Sequence, residues 1–390
     1  EYELGLVEPS LIVNDGIDYG CRPDIEAAYG DKLRPMDAFK DSAPAELVDC
    51  VGHDDLIVLM FTSGTTGRSK AVMLSERNFF TTVECQVKFG DAMLDYKHEH
   101  MPEDKNDVLS NFAILPLFHL GTFICLFVWA CKGWALNLSA DIRDFYRDLG
   151  LMHSDAIAVA PMLMEAIYKD VKRGRRARLN GIWNPCGSSA MFDGAMLAEL
   201  AQQGMMITQV YGMTETCGDG IINYEQDEKH IRAVGRPDDH AEYKLDETGE
   251  ICIRGGCVML GYYKDPEATA EVLDADGWFH TGDLARVDED GFYYITGRKK
   301  NIIILDSGEN VSPEELEDLL SQCEAVKECI VREKGKKICA VIYCGEDDQQ
   351  TVRDFITETN RTLPLYKRMS AVEFSTEPLP RTGTGKLLRK

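Results

Sequence analysis

Apolar and polar positions follow one rhythm over the first two thirds of the chain and another over the last third. Early on, short apolar runs lead into segments with helical spacing. "PSLIVND" near the start reads as a buried strand, and so does "DLIVLMF" at 55–61. Ser75 is placed to cap a helix through "RNFFTTVECQVKF". A strand, a turn and a buried helix are expected across 108–131, and "SDAIAVAP" followed by "MLMEAIYKDV" repeats the pattern at 154–171. Strands alternating with helices imply βαβ units and an α/β fold.

After about residue 234 short strands and turns dominate, as in "GEICIRGG" and "GWFHTGDLARVDEDGFYYITGR". Asp290-Gly291 between apolar runs signals a hairpin. "VSPEELEDLLSQC" begins a helix with Ser312 as cap, Pro313 at the first position and Glu315 completing a capping box. Beyond it, "ECIVRE", "ICAVIYC" and the helical "QTVRDFITETNRTL" form a small α+β unit. The expected layout is a large domain of βαβ layers with a β-rich subdomain over 1–299 and a small α+β domain over 300–390.

Composition narrows the function classes. The 390 residues carry a formal charge of −24, which disfavours a non-specific nucleic-acid binder. A local site can still oppose that charge and hold a small anion. The 13 cysteines are odd in number and form no CxxC pair, so inert thiols in a reducing cytoplasm are expected rather than disulfides or zinc. From Val108 to Cys131 there is no Asp, Glu, Lys or Arg, long enough to imitate a membrane span. Pro116 and Gly121-Thr122 interrupt it, so no transmembrane segment is expected, and peripheral contact with a membrane stays open. No signal peptide or initiator Met is seen, and the chain reads as a fold whose N-terminal part is missing.

The chemistry concentrates in "TSGTTGRSK" at 62–70. Backbone N–H groups of a Gly-rich turn converge on an anion, hydroxyls add donors, and a terminal lysine adds a point charge suited to phosphate. Gly64 and Gly67 are three apart, which is not the spacing of the common nucleotide loop. Alone, such a cluster also fits a polar surface loop.

Three further segments follow in order: "YGMTET" at 211–216, "HTGDLARVDEDGFYYITGR" at 280–298 and "LPRTGTGKLLRK" at 379–390. With 62–70 they make the chain resemble the adenylate-forming (AMP-binding) superfamily, from about residue 50 to the end. Its acyl-CoA synthetase branch, and within it the bacterial long-chain fatty-acid ligases, is the most similar in motifs. The resemblance implies ATP, Mg²⁺ and CoA as cofactors and a carboxylic acid as substrate. It implies that Thr62, Ser63, Gly64, Thr65, Thr66, Gly67 and Lys70 hold the β- and γ-phosphates. Gly187, Ser188 and Ser189 match the adenine-side segment. Tyr211, followed by Gly212, stacks on adenine, and Thr214 reaches the α-phosphate. Glu215 holds the metal, a hard cation that prefers oxygen. Asp283, an acceptor-only carboxylate, takes both ribose hydroxyls with Arg298 beside it. Lys300 falls at the hinge of a mobile small domain, Gly308 lines the thiol passage, and Lys386 steadies the charge that develops during adenylation. Two departures stand out: Ser69 and Ala71 replace the usual Pro and Gly around Lys70, and most of the family's N-terminal subdomain is lacking.

His119 stands where peptide-synthetase domains have an Asp for the substrate's amino group, so an amino acid is disfavoured. The Phe118-His119 pair resembles acyl- and aryl-CoA synthetases, and His119 also fits a core histidine. Val210 replaces a Gly common in long-chain relatives and narrows the acyl pocket. "VKRGRRARL" at 171–179 is a candidate for the CoA 3′-phosphate or a solvated basic loop. Loading of a carrier protein and a non-catalytic nucleotide-binding remnant are the alternatives.

Overall fold

The computed structural model describes residues 2–14, 22–39, 51–62, 69–139, 141–188, 192–218, 220–305, 309–335, 337–381 and 387–388, with Ser188 described by its backbone alone. A six-stranded sheet forms the centre, in the order Gly220–Asn223, Thr208–Gly212, Asn184–Ser188, Ala156–Val159, Ser110–Ala113, Ala135–Leu138. The last five strands are parallel and the first is antiparallel. Helices Leu120–Lys132, Phe145–Leu151, Pro161–Lys172 and Gly194–Gln202 make the crossovers.

Alternation along each strand assigns its two faces to different helix layers. Leu109, Ala156 and Met206 pack with Met93, Val128 and Trp129 of helices Glu76–His100 and Leu120–Lys132. Phe112, Ile157, Met205 and Ile207 pack with Leu149, Met164, Ile167 and Leu197 of the other three helices. The sheet is therefore wound on both faces, as the βαβ rhythm implied.

Local signals explain several elements. The Ser75 hydroxyl accepts from the Asn78 N–H while the Asn78 side chain accepts from the Ser75 N–H, so the cap forms with Asn in the third position. The charge-free stretch becomes strand Ser110–Ala113 and a 13-residue helix ended by Gly133 at φ 66°. No helix among the described residues is long and apolar enough to cross a membrane.

Two smaller sheets flank the central one. Strand Lys70–Ser75 pairs with Leu56–Thr62 on one side and with Gly261–Tyr262 on the other. An antiparallel meander contains Ala241–Leu245, Glu250–Gly255, Phe279–Val287 and Tyr293–Arg298. The Asp290-Gly291 hairpin forms, with the Asp288 carboxylate accepting from the N–H groups of Asp290 and Phe292. Helices Pro313–Ser321 and Gln349–Thr362 pack on strands Glu328–Lys334, Lys337–Tyr343 and Ala371–Ser375 around a separate core that Ile303 and Val311 join.

Two expectations need correction. Strand Ile12–Asn14 exists, but Leu11 and Val13 are exposed. Among the described residues it pairs only with the three-residue strand Leu33–Pro35, which does not cover it. Ser312 starts its helix, yet no side-chain cap forms. Its hydroxyl donates to the Thr296 carbonyl at 2.5 Å, and Glu315 is taken by Lys367 at 2.7 Å.

Candidate active site

The parallel strands direct their carboxyl ends to one edge of the sheet. Gly187, Tyr211, Gly212 and the turn Thr214–Thr216 lie there. So does His119, which follows strand Ser110–Ala113 and occupies the N-cap position of helix Leu120–Lys132. Strand order reverses between Ser110–Ala113 and Ala156–Val159. Such a switch point opens a crevice beyond the strand ends, where α/β proteins bind ligands.

Tyr211, Asp283 and Arg298 meet in one hydrogen-bonded cluster. The Tyr211 hydroxyl donates to Asp283 Oδ2 at 3.1 Å, and Arg298 Nε donates to Asp283 Oδ1 at 2.7 Å. Asp283 is buried, while Arg298 is half exposed. Burial, reinforced by the Asp283 charge, pushes the Tyr211 phenol well above its ordinary pKa, so it remains a donor. A carboxylate can accept at roughly four positions, more than these two partners take, so sugar hydroxyls fit it too.

Lys70, Tyr262 and Glu215 form a second cluster. Lys70 pairs with Thr62, so the two strands bring together the ends of the segment 63–69. Its ammonium lies 4.5 Å from the centre of the Tyr262 ring. The Tyr262 hydroxyl donates to Glu215 Oε1 at 2.9 Å, and the Met259 N–H holds the Glu215 carbonyl at 2.9 Å. Glu215 Oε2 has no hydrogen-bond partner among the described residues. Thr214 shares the short turn with Glu215, and Thr216 is buried against Met213.

Gly187 is required sterically, since a Cβ there would lie 2.5 Å from the Phe192 ring. On strand Thr208–Gly212 the odd residues face the helix layer of Ile207, so Val210 faces the layer that begins at His119. His119 is exposed, with its ring 4.6 Å from that of Phe118, which is 70% exposed. Lys300 lies in the turn Lys299–Asn301. The adjoining Lys299 pairs with the buried Glu250 at 2.7 Å, whose other oxygen accepts from the Gly282 N–H beside Asp283. Ser63, Gly64, Thr65, Thr66, Gly67, Ser189, Gly308 and Lys386 lie outside the described residues.

Two arginines of the basic run are bonded to the scaffold. Arg178 pairs with the buried Asp170 at 3.0 Å and stacks on Tyr146. Arg176 donates to the carbonyls of Gln203 and Gly204. The run follows a helix that leads away from the carboxyl-end edge, and so lies at the opposite end of the sheet. Burial pushes the thiols of Cys125 and Cys186 up to about 11 and about 12, as expected of inert cysteines. Sequence reading missed Tyr262 and Glu250. Both sit in apolar strands, and only their tertiary pairing marks them.

The family model described as AMP-binding enzyme matches residues 17–263, and that described as AMP-binding enzyme C-terminal domain matches 315–386. The chain belongs to the AMP-binding enzyme family. It is 30% identical to a long-chain-fatty-acid–CoA ligase of Salmonella typhimurium over 356 residues, covering 86% of this chain and 61% of that one. It is 31% identical to a feruloyl-CoA synthase of Amycolatopsis sp. over 387 residues, covering 93% of this chain and 74% of that one. The chain thus spans about three fifths of the length of the bacterial fatty-acid ligases it matches. The fold is shared with o-succinylbenzoate CoA synthetase from Bacillus subtilis, solved with its acyl-adenylate intermediate. That likeness has a TM-score of 0.79 at 23% identity and covers 100% of this chain and 79% of that one.

Proposed function

We propose that this AMP-binding enzyme is an AMP-forming acid–thiol ligase. A carboxylate oxygen attacks the α-phosphorus of ATP, the α–β anhydride bond breaks, and pyrophosphate leaves. The CoA thiolate then attacks the acyl carbon, and the bond to AMP breaks. One observation carries this reading: Tyr211, Asp283 and Arg298, from three strands and two sheets, converge at the strand-end crevice with Glu215 and Lys70 on the same structure. Asp283 and Arg298 take the ribose, Tyr211 the adenine, Thr214 the α-phosphate, and Thr62, residues 63–68 and Lys70 the other phosphates. Oε2 of Glu215, open among the described residues, fits Mg²⁺, which would supply neutralisation of phosphate charge. Lys386 supplies charge to the adenylation step, and residues 300–390 form the domain that turns about Lys300.

Relatives named for a fatty acid and for an aromatic acid are equally similar, so the acid is proposed only as an apolar carboxylate, between His119 and Val210. A cavity of about 420 Å³ on the small domain, lined by Lys337, Arg368, Tyr366 and Leu305, supplies cations and an aromatic face for the nucleotide part of CoA. It replaces the basic run at 171–179 as our candidate. A chain of 13 cysteines with no CxxC pair is the ground on which a cytoplasmic setting is proposed. The test is acid-dependent exchange of radiolabelled pyrophosphate into ATP across fatty and aromatic acids. Exchange with at least one acid is expected, and none with any acid overturns the reading.

A further inference from the structure

Tyr262 has no role in the proposed reaction, yet it touches two of its charged groups. It lies in the two-residue strand Gly261–Tyr262, and Tyr262 pairs with Val72. The N–H groups of Leu260 and Tyr263 bond to the carbonyls of Met73 and Ala71 at 3.0 and 2.8 Å. The Tyr262 N–H donates to Thr269 Oγ1 at 2.9 Å, and the ring is buried in a core with Val72, Leu74 and Phe279. These contacts leave the ring little freedom. Its face meets the Lys70 ammonium, and its hydroxyl meets Glu215.

We propose that Tyr262 is a positioning residue that sets the distance and orientation of Lys70 and Glu215 relative to each other. This rests on the ligase reading above. Mg²⁺ demands near-ideal octahedral geometry and dehydrates reluctantly, so a carboxylate free to rotate serves it poorly. The Tyr262 hydroxyl fixes one oxygen of Glu215 and so turns the other outward. Such a partner behind a metal carboxylate is the usual means of orienting a ligand. The ring face attracts the Lys70 ammonium without consuming its three N–H donors. The phenol O–H is the donor in this contact and the Glu215 carboxylate the acceptor. One side chain thereby links the cation meant for phosphate to the anion meant for metal. Neither can drift towards the other and form a direct, unproductive ion pair.

Two variants separate the two contacts. Tyr262→Phe keeps the ring and deletes the donor, whereas Tyr262→Leu deletes both. The first readout is binding: Mn²⁺ uptake followed by loss of the free-ion paramagnetic signal, with an ATP analogue that cannot be cleaved between its α- and β-phosphates. Tyr262→Phe is expected to weaken Mn²⁺ uptake about tenfold and to leave metal-free nucleotide binding within twofold. Tyr262→Leu is expected to weaken metal-free nucleotide binding as well, by about fivefold. The second readout is pyrophosphate exchange over a Mg²⁺ titration. Tyr262→Phe should need about tenfold more Mg²⁺ for half-maximal rate and recover at saturation, with KM for the acid unchanged. A purely packing role predicts a loss independent of metal concentration together with a lower melting temperature, and that result overturns the proposal. Wild-type Mn²⁺ affinity in Tyr262→Phe overturns it too. If the wild type binds metal and nucleotide but exchanges with no acid, the ligase reading fails while the binding comparison still decides Tyr262.

Discussion

Asp283 and Glu215 are both carboxylates of the candidate site, and the protein treats them differently. Asp283 is buried and already holds a phenol and a guanidinium, one on each oxygen. Glu215 is half-buried and has one oxygen tied to Tyr262 and one open among the described residues. A group with both oxygens tied to the scaffold contributes to stability even where acceptor positions remain for a ligand, because its removal strands its partners. A group with an open oxygen sits in the fold at little structural benefit and is suited to a ligand. The basic run at 171–179 obeys the same rule. Its Arg178 is consumed by Asp170, so that arginine is a scaffold element.

The strongest attempt to break this contrast is Glu215→Gln. The Tyr262 donor keeps an acceptor, so the fold should lose less than about 0.5 kcal/mol, as for substitutions away from consumed contacts. The charge facing the metal is lost, and exchange should fall on the order of 10²-fold, the scale for removing one charge-stabilising group. Thermal melting and the exchange rate on one preparation check both halves. A large drop in melting temperature would remove Glu215 from the open class.

Asp283→Ala should behave in the opposite way. Arg298 is half exposed and can turn to water, but the hydroxyl of the half-buried Tyr211 is left without this acceptor. A loss of about 1–3 kcal/mol is expected in urea unfolding, the cost of orphaning a buried polar group. ATP affinity should fall as well. Unchanged stability would mean that the cluster forms only when nucleotide is bound.

Much of this was legible in the chain, and the failures share a cause. The βαβ rhythm, the Ser75 cap and the Asp290-Gly291 hairpin are local signals, and each appears in the fold. The pairing of Asp283 with Arg298 was not legible from the hairpin alone. Ala285 opposes Ile295, and the same register would set Asp283 against Gly297. A bulge at Thr296 moves the partner by one residue and brings Arg298 opposite instead. The Thr296 carbonyl freed there accepts the Ser312 hydroxyl, which cancels the helix cap that the local sequence advertises. Gly297 is needed at the same spot, since at φ 157° a Cβ would lie 2.2 Å from Ser312 Oγ. Tyr262 escaped notice because a two-residue strand carries no periodicity, and its importance lies in contacts with residues far away in the chain.

A smaller effect tests whether the rule holds away from the site. Arg178→Ala deletes a partner of the buried Asp170, whose side chain is 5% exposed. Stability should fall by about 1 kcal/mol, the net worth of one such bond. KM for CoA should stay within twofold, because the run sits at the far end of the sheet. A selective rise in KM for CoA over dephospho-CoA would return these arginines to ligand binding.

The smallest effect comes from His230, whose bonding is consumed at both ring nitrogens. Nδ1 meets Asp227 at 2.9 Å, Nε2 meets Asp290 at 3.2 Å, and the ring stacks on Phe292 with centroids 4.0 Å apart. Two carboxylate partners require two donors, so the favoured form is the imidazolium. The hydrogen bond to Asp227, opposed by partial burial and helped by Asp290, holds the pKa above 6.5. A histidine raised on folding contributes stability that is fully present below its unfolded value of about 6.5 and is lost as pH rises through the folded value. Melting temperature should therefore decline from this source across that window, and the decline should be absent in His230→Gln. The two proteins are compared at matched ionic strength, because salt screens these half-exposed acids. Parallel pH profiles would show that the two aspartates do not distinguish the folded from the unfolded imidazole. A steeper decline in the variant would show that the charged ring is disfavoured in the fold.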